Sequence, residues 1–191
     1  SWEGYTAPAT QWETLLDLDA LSAVEDTESV WGGARFLRPE DGVSYRRALV
    51  ILSPDGGDAS RYREYDVVDR TFVPGGFDLP VEKTQVSWAG PDTLYVATDF
   101  GPGSMTASSY PRTVRVLHRG QGPVDAQLYF EVPEDHMMGY VHHDQTPGFE
   151  RDLAVDIIDF YDSITYLRKD GDWARIDVPL DVNVDLHRQW L

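Results

Sequence analysis

Apolar residues along this chain fall into short runs and short alternations, and few of them recur at helical spacing. Ala48 to Ser53 is an almost unbroken apolar run, the pattern of a strand covered on both faces. The turn residues Pro54-Asp55-Gly56-Gly57 follow it, and Arg61 to Val67 then alternates polar with apolar positions. The same order returns twice. Thr93 to Asp99 is apolar and β-branched, Gly101-Pro102-Gly103-Ser104 interrupts it, and Arg112 to His118 alternates. Asp152 to Phe160 and Ser163 to Arg168 read as strands, and Lys169-Asp170-Gly171-Asp172 carries the Asp-Gly of a two-residue hairpin. A further strand is expected ahead of each set, at Trp31 to Leu37, Thr84 to Trp88 and Met138 to His143. Only residues 10–25 have the apolar positions for a short helix, and Leu15, Leu16, Leu18 and Leu21 there also fit a strand followed by a turn.

A four-residue signature punctuates these units: Phe77-Asp78-Leu79-Pro80, Phe130-Glu131-Val132-Pro133 and Ile176-Asp177-Val178-Pro179. Its two apolar residues share one face of an extended segment while the carboxylate points the other way. Proline lacks the N–H for another ladder bond, so each signature is expected to end pairing at a sheet edge. The fainter Leu16-Asp17-Leu18-Asp19 lies upstream. Successive signature prolines are 53 and 46 residues apart, a spacing that suits four-stranded propeller blades. The expected fold is therefore all-β, a partial β-propeller of about three four-stranded antiparallel blades. Approximate blade bounds are 26–80, 81–133 and 134–180, with incomplete pieces at 10–25 and 181–191. Three blades do not close a ring, so the chain reads as an arc excised from a longer protein, and its start at Ser1 suits that reading. An open arc leaves apolar blade faces and free strand edges around Leu15–Leu18 and Val182–Trp190, so self-association is expected there.

Charge narrows the partners. Sixteen Lys plus Arg against 33 Asp plus Glu give −17, a field that repels phosphate backbones and anionic membrane surfaces. Neither nucleic acid nor membrane is an expected partner, and no apolar run is long enough to span a bilayer. There are no cysteines, which excludes disulfides, thiolate catalysis and Cys-type zinc sites, and suits a cytoplasmic location.

Several ordered motifs carry a family resemblance. Tyr62-Arg63-Glu64-Tyr65-Asp66, Gly76-Phe77-Asp78-Leu79-Pro80, Val86-Ser87-Trp88 and Thr98-Asp99-Phe100-Gly101-Pro102-Gly103-Ser104 resemble the N-terminal propeller of prolyl-oligopeptidase-family serine peptidases. Ser109-Tyr110-Pro111-Arg112, Arg119-Gly120 and His187-Arg188-Gln189-Trp190-Leu191 fit the same pattern, so the resemblance runs from about Trp12 to the end. It implies a seven-bladed propeller that caps an α/β-hydrolase domain with a Ser-His-Asp triad and restricts access to short peptides.

The residues themselves carry no catalytic motif. A serine hydrolase of that fold needs Gly-x-Ser-x-Gly, and Ser104 has no such glycines around it, so it is read as a loop residue. His142 and His143 are adjacent, and neighbours on a strand point to opposite faces, so they are not read as joint metal ligands. One of them is a candidate lining residue of the central channel. Asp156 with Asp159, and Asp170 with Asp172, are conceivable acid–base pairs, but 33 acidic residues produce chance pairs, and Asp170 and Asp172 fit a hairpin turn. Asp17-x-Asp19 lacks the glycine and the closing Glu of a calcium loop. Trp31 and Trp88 are assigned to the core between blades, and Arg63 and Glu64 to blade-edge pairing. No catalytic, cofactor-binding or metal-binding residue is assigned. The expected function is a non-catalytic gating and scaffolding module, with the hydrolase domain and short peptides as partners. The alternatives are a stand-alone interaction or carbohydrate-binding propeller module, or a small propeller glycosidase.

Overall fold

The computed structural model describes residues 2–6, 9–39 and 44–190. Two helices, α1 (Trp2–Tyr5) and α2 (Leu18–Glu25), precede three antiparallel sheets that follow one another along the chain. The first holds β1 (Val30–Phe36), β2 (Arg47–Ser53), β3 (Ser60–Asp66), β4 (Thr71–Phe72) and β5 (Asp78–Glu82). The second is β6 (Gln85–Gly90), β7 (Thr93–Ala97), β8 (Thr113–His118) and β9 (Gln127–Glu131). The third is β10 (Met138–Asp144), β11 (Arg151–Ile157), β12 (Ser163–Lys169) and β13 (Asp172–Arg175). The second and third sheets are meanders in chain order, and in the first β5 returns to pair with β3; together they form an open, partial all-β propeller.

The pairings expected from the alternations are present: β2 on β3 with Leu49 opposite Glu64, and β7 on β8 with Tyr95 opposite Val116. The Asp170-Gly171 hairpin joins Lys169 to Asp172, with both turn residues at positive φ (52° and 92°) as a type I′ turn requires. The proline rule needs a correction in blade 1. There β5 runs through Pro80 to Glu82, and a register shift on β3 between Ser60 and Tyr62 accommodates the missing donor. Blade 1 also splits its outer position between two short strands, β4 beside Tyr65 and Asp66, and β5 beside Ser60 to Arg63.

Alternate residues of each strand serve different neighbours. On β7, Leu94 and Val96 join Leu49, Ile51, Tyr62 and Phe77 of blade 1 in one core, while Tyr95 and Ala97 join Val141 and Ala154 of blade 3 in another. This two-sided burial is why the apolar runs are continuous. Trp88 is 1% exposed, meets Phe77 edge-on at 5.8 Å, and donates its indole N–H to the Arg35 carbonyl at 2.8 Å. Trp31 does not share that fate. It is 51% exposed, because it pairs with Leu52 on the face of blade 1 that points away from blade 2.

The terminal segments also depart from expectation. Residues around Leu15–Leu18 form no strand. Asp17 caps α2 by accepting the Ala20 N–H at 3.0 Å, and this cap selects helix where the leucines alone were ambiguous. Leu16, Leu18 and Leu21 then cover Val50, Leu52 and Tyr65 on the outward face of blade 1, and the Tyr65 hydroxyl donates to the Leu15 carbonyl at 2.6 Å. Val182–Trp190 is likewise not a strand: it is irregular, with a single bridge between His187 and Trp190. Ser163 donates its N–H to the Leu180 carbonyl at 2.9 Å, and the Arg151 guanidinium reaches the Arg188 carbonyl. The free ladder edges expected at these two places are therefore absent; Leu191, the last residue of the closing motif, lies outside the described residues. Among the described residues no helix is long and apolar enough to cross a membrane.

Burial ranks the two tryptophans. Trp88→Ala should cost about 3–5 kcal/mol in urea unfolding, whereas Trp31→Ala should cost less than about 1 kcal/mol. Equal losses would contradict this packing.

Candidate functional site

The inner strands β1, β6 and β10 lie side by side, and buried polar groups fix how they sit. Between blades 1 and 2 the key group is Glu64, whose side chain is fully buried on β3. Arg119 from blade 2 donates to both its oxygens at 2.7 and 3.1 Å, Arg47 adds a contact at 3.2 Å, and the Phe77 N–H a fourth at 3.0 Å. Arg119 also pairs with Asp92 at 2.6 Å and lies over the Phe77 ring. Glu64 is thus a clasp inside the seam, not the blade-edge residue expected from its strand. Arg63 is nearer expectation, pairing with Glu25 of α2 at 2.6 Å.

Between blades 2 and 3 the equivalent group is Asp152. One carboxylate oxygen accepts the hydroxyls of Tyr95 and Tyr129, at 2.8 and 2.6 Å, and the other accepts His143 Nδ1–H at 2.6 Å. The two tyrosine rings stack at 4.6 Å. Burial alone would raise the Asp152 pKa, but the bonds from His143, Tyr129 and Tyr95 outweigh it and leave the carboxyl below its ordinary value. Burial, reinforced by Tyr129 and the Asp152 charge, holds the Tyr95 hydroxyl far above its own.

Three bonds tie the inner edges together: Trp88 to the Arg35 carbonyl, His143 N–H to Ser87 Oγ at 3.1 Å, and Arg38 N–H to Gln145 Oε1 at 2.9 Å. They frame a cleft of about 760 Å³ whose walls include Arg35, Phe36, Gln85, Ser87, Met138, Tyr140, His142 and Asp144. His142 and His143 do diverge as adjacent strand residues should. His143 turns to Asp152, while His142 enters the cleft, where burial lowers its pKa and Asp144 pulls the other way.

The other candidates have structural partners. Ser104 is 2% exposed; its hydroxyl contacts the Gly101 carbonyl at 2.7 Å and Asp99 at 3.1 Å, and accepts the Phe100 N–H, so it braces the 98–104 loop. Asp156 and Asp159 do not meet as a pair. Asp156 bonds His136 Nδ1 at 2.7 Å, and Asp159 accepts the N–H groups of Tyr161 and Asp162. Asp170 is a residue of the hairpin turn and Asp172 pairs with Lys169 beside it. Asp17 caps α2, the helix that also holds Asp19. Among the described residues no group of three His, Asp or Glu is placed to hold a metal ion. Sequence reasoning named Arg119 only within the resemblance and did not find its role or those of Asp152, Tyr95, Tyr129, His136 and Arg35, because their partners lie on other strands at spacings no motif encodes.

No protein-family model matches the chain. Over 121 residues it is 39% identical to an uncharacterized peptidase of Sinorhizobium fredii, covering 63% of this chain and 16% of that protein. An uncharacterized peptidase of Rickettsia prowazekii is 26% identical over 143 residues, 71% of this chain and 19% of its own length. Among solved structures, a post-proline cleaving enzyme from Rickettsia typhi superposes with a TM-score of 0.81 at 24% identity, over 94% of this chain and 27% of the enzyme. The likeness is one of fold, a partial β-propeller. A prolyl endopeptidase structure shares the fold at a TM-score of 0.64 and 15% identity, over 88% of this chain and 24% of its own. The chain thus spans about a quarter or less of each protein it matches, and a stand-alone binding module or a glycosidase is not favoured.

Two measurements test how the seams of this partial propeller hold the inner strands. Arg119→Met strands a buried carboxylate and should destabilise by about 3 kcal/mol. Added to Glu64→Gln it should cost clearly less, and an additive double-mutant cycle would contradict the clasp. Asp152 has a folded pKa below its unfolded value of about 4, so its contribution is full above that pH and fades as pH falls through the folded value. Unfolding free energy should drop in acid, and Asp152→Asn should flatten that drop; unchanged acid dependence would remove Asp152 from the account.

Proposed function

We propose that this chain is the non-catalytic gating and scaffolding part of a prolyl-oligopeptidase-like serine peptidase, whose Ser-His-Asp triad lies on an α/β-hydrolase domain outside it. The observation that carries this reading is the 39% identity to a peptidase of which the matching region is only 16%. So small a share leaves room for a separate catalytic domain, and the chain itself has no Gly-x-Ser-x-Gly. In this reading the propeller works by exclusion. Interlocked inner strands border a passage that admits extended short peptides and rejects folded proteins. The Glu64 and Asp152 clasps support that role, since a filter has to keep its width. The hydrolase domain and short peptides are the corresponding partners, and the location is the cytoplasm.

The proposal is tested at the locus and at the bench. Sequencing the coding region on both sides of this stretch should reveal an in-frame hydrolase segment with Gly-x-Ser-x-Gly, and its absence would end the proposal. The isolated chain should leave prolyl peptide reporters intact, while turnover abolished by Ser104→Ala would make Ser104 a nucleophile after all. Self-association belongs to the proposal through a different surface from the strand edges. Trp31, Phe36 and Tyr45 are each at least 43% exposed, and Trp31 and Phe36 lie on the outward side of β1. Light scattering should rise with concentration and fall for Trp31→Glu.

A further inference from the structure

Blade 3 turns one face of its sheet towards blade 2, and the strand register decides which residues that face carries. Asp152, Ala154 and Asp156 alternate along β11, with Tyr166 opposite Ala154 and Ile164 opposite Asp156 on β12. Asp152 and Ala154 belong to the closed part of the seam. Asp156 lies further along the strand, on a groove of about 570 Å³ between β9 of blade 2 and the outer strands of blade 3. This groove shares no lining residue with the inner cleft.

Asp156 is 4% exposed. One of its oxygens bonds His136 Nδ1 at 2.7 Å, and the other makes no hydrogen bond among the described residues. A neutral imidazole donates through Nδ1–H, leaves the carboxylate its charge and keeps Nε2 as an acceptor. Phe130 meets Tyr166 at 5.6 Å and Trp173 at 5.3 Å, so three rings make a connected wall. The remaining charges nearby are held outside the lining. Arg112 lies 3.6 Å from Glu131 at the rim, and Arg168 lies over the Tyr129 and Trp173 rings. Arg175 pairs with Tyr166 across β12 and β13. At the Tyr166 hydroxyl, which borders the groove, the Asp156 charge outweighs that of Arg175.

A buried carboxylate oxygen without a partner gains from a donor, and gains most from a charged one. Aromatic faces attract the same kind of group, as Arg168 already shows on Tyr129 and Trp173. The net charge of −17 draws cations and repels anions. A neutral apolar ligand would leave the Asp156 oxygen unbonded, and an anion would be opposed by it. We infer that this groove is a site for a small organic ammonium ion. Its charged group lies on Asp156 with one N–H given to His136 Nε2, and its apolar ring or chain lies against Phe130, Tyr166 and Trp173.

The test is an NMR titration of the full chain with phenethylamine, charged near neutral pH, and with phenethyl alcohol, its neutral counterpart. The amine should shift the Trp173 indole N–H and the amide signals of His136 and Tyr166. It should bind roughly threefold to tenfold more tightly than the alcohol. Asp156→Asn should bring the amine down to the affinity of the alcohol, with unchanged signals from blade 1 showing that the fold is intact. Arg175→Met removes a competing charge at the edge of the site, so it should tighten the amine and leave the alcohol unchanged. Displacement of the amine by Nα-acetyl-lysine methylamide would assign the site to a lysine of a protein partner, and failure to displace it would assign the site to a free amine. Equal affinity of amine and alcohol for the natural chain would overturn the ammonium site, and this comparison needs no variant to fold. Absence of binding by the amine, or shifts confined to another surface, would overturn it as well.

Discussion

A blade whose sheet is apolar on both sides has to be covered on both sides, and the organisation of this chain follows from that requirement. Leu94 and Tyr95 are neighbours on β7, yet one belongs to the core shared with blade 1 and the other to the core shared with blade 3. The middle blade can satisfy both faces only as a member of a stack. At the outward face of blade 1, where no further blade of this chain follows, α2 and the residues before it do the covering. Such coverage leaves little freedom for blades to slide, because a core packed to solid density resists even small displacements.

Apolar packing brings blades together but does not set their angle or depth, and the buried charges add that definition. Glu64 loses its hydration completely, a large cost that is offset only when Arg119, Arg47 and the Phe77 amide all reach it. A small rotation of blade 2 would open the two-point contact from Arg119 and leave the carboxylate short of partners. Asp152 imposes the same demand on the next seam through two tyrosine hydroxyls and an imidazole. The inner strands are therefore positioned by groups that lie away from the cleft.

The chain displayed its strands clearly because strand pattern is local. Two-sided burial appears as continuous apolar runs at Ala48–Ser53 and Thr93–Asp99, and the Asp170-Gly171 turn needs residues that tolerate positive φ. Blade order follows from repeat order. Legibility failed where the outcome depended on what lay opposite. Trp31 and Trp88 have equivalent places on inner strands, and only the presence of a neighbouring blade buries one and exposes the other. Glu64 sits in an alternating strand where its position suits an exposed partner, and its burial depends on an arginine 55 residues away. For the leucines of residues 15–21 the decision between helix and strand rested on a single cap from Asp17.

Site residues were harder still, since a lining surface has no motif. His142 was suspected from its sequence neighbour, and the strand geometry that separates it from His143 assigned the two imidazoles to different tasks: one inside a seam, one in the cleft. Arg35 carried no signal at all in the sequence, being one arginine among many. Its place is relational: it stands on the inner strand, and among the described residues its guanidinium makes no hydrogen bond or ion pair. That is a general consequence of building a passage from strand edges. The residues that hold the wall in place are identified by the bonds they make, whereas those available to a passing ligand are identified by the bonds they lack, and the second kind becomes visible only after every partner of the first has been placed.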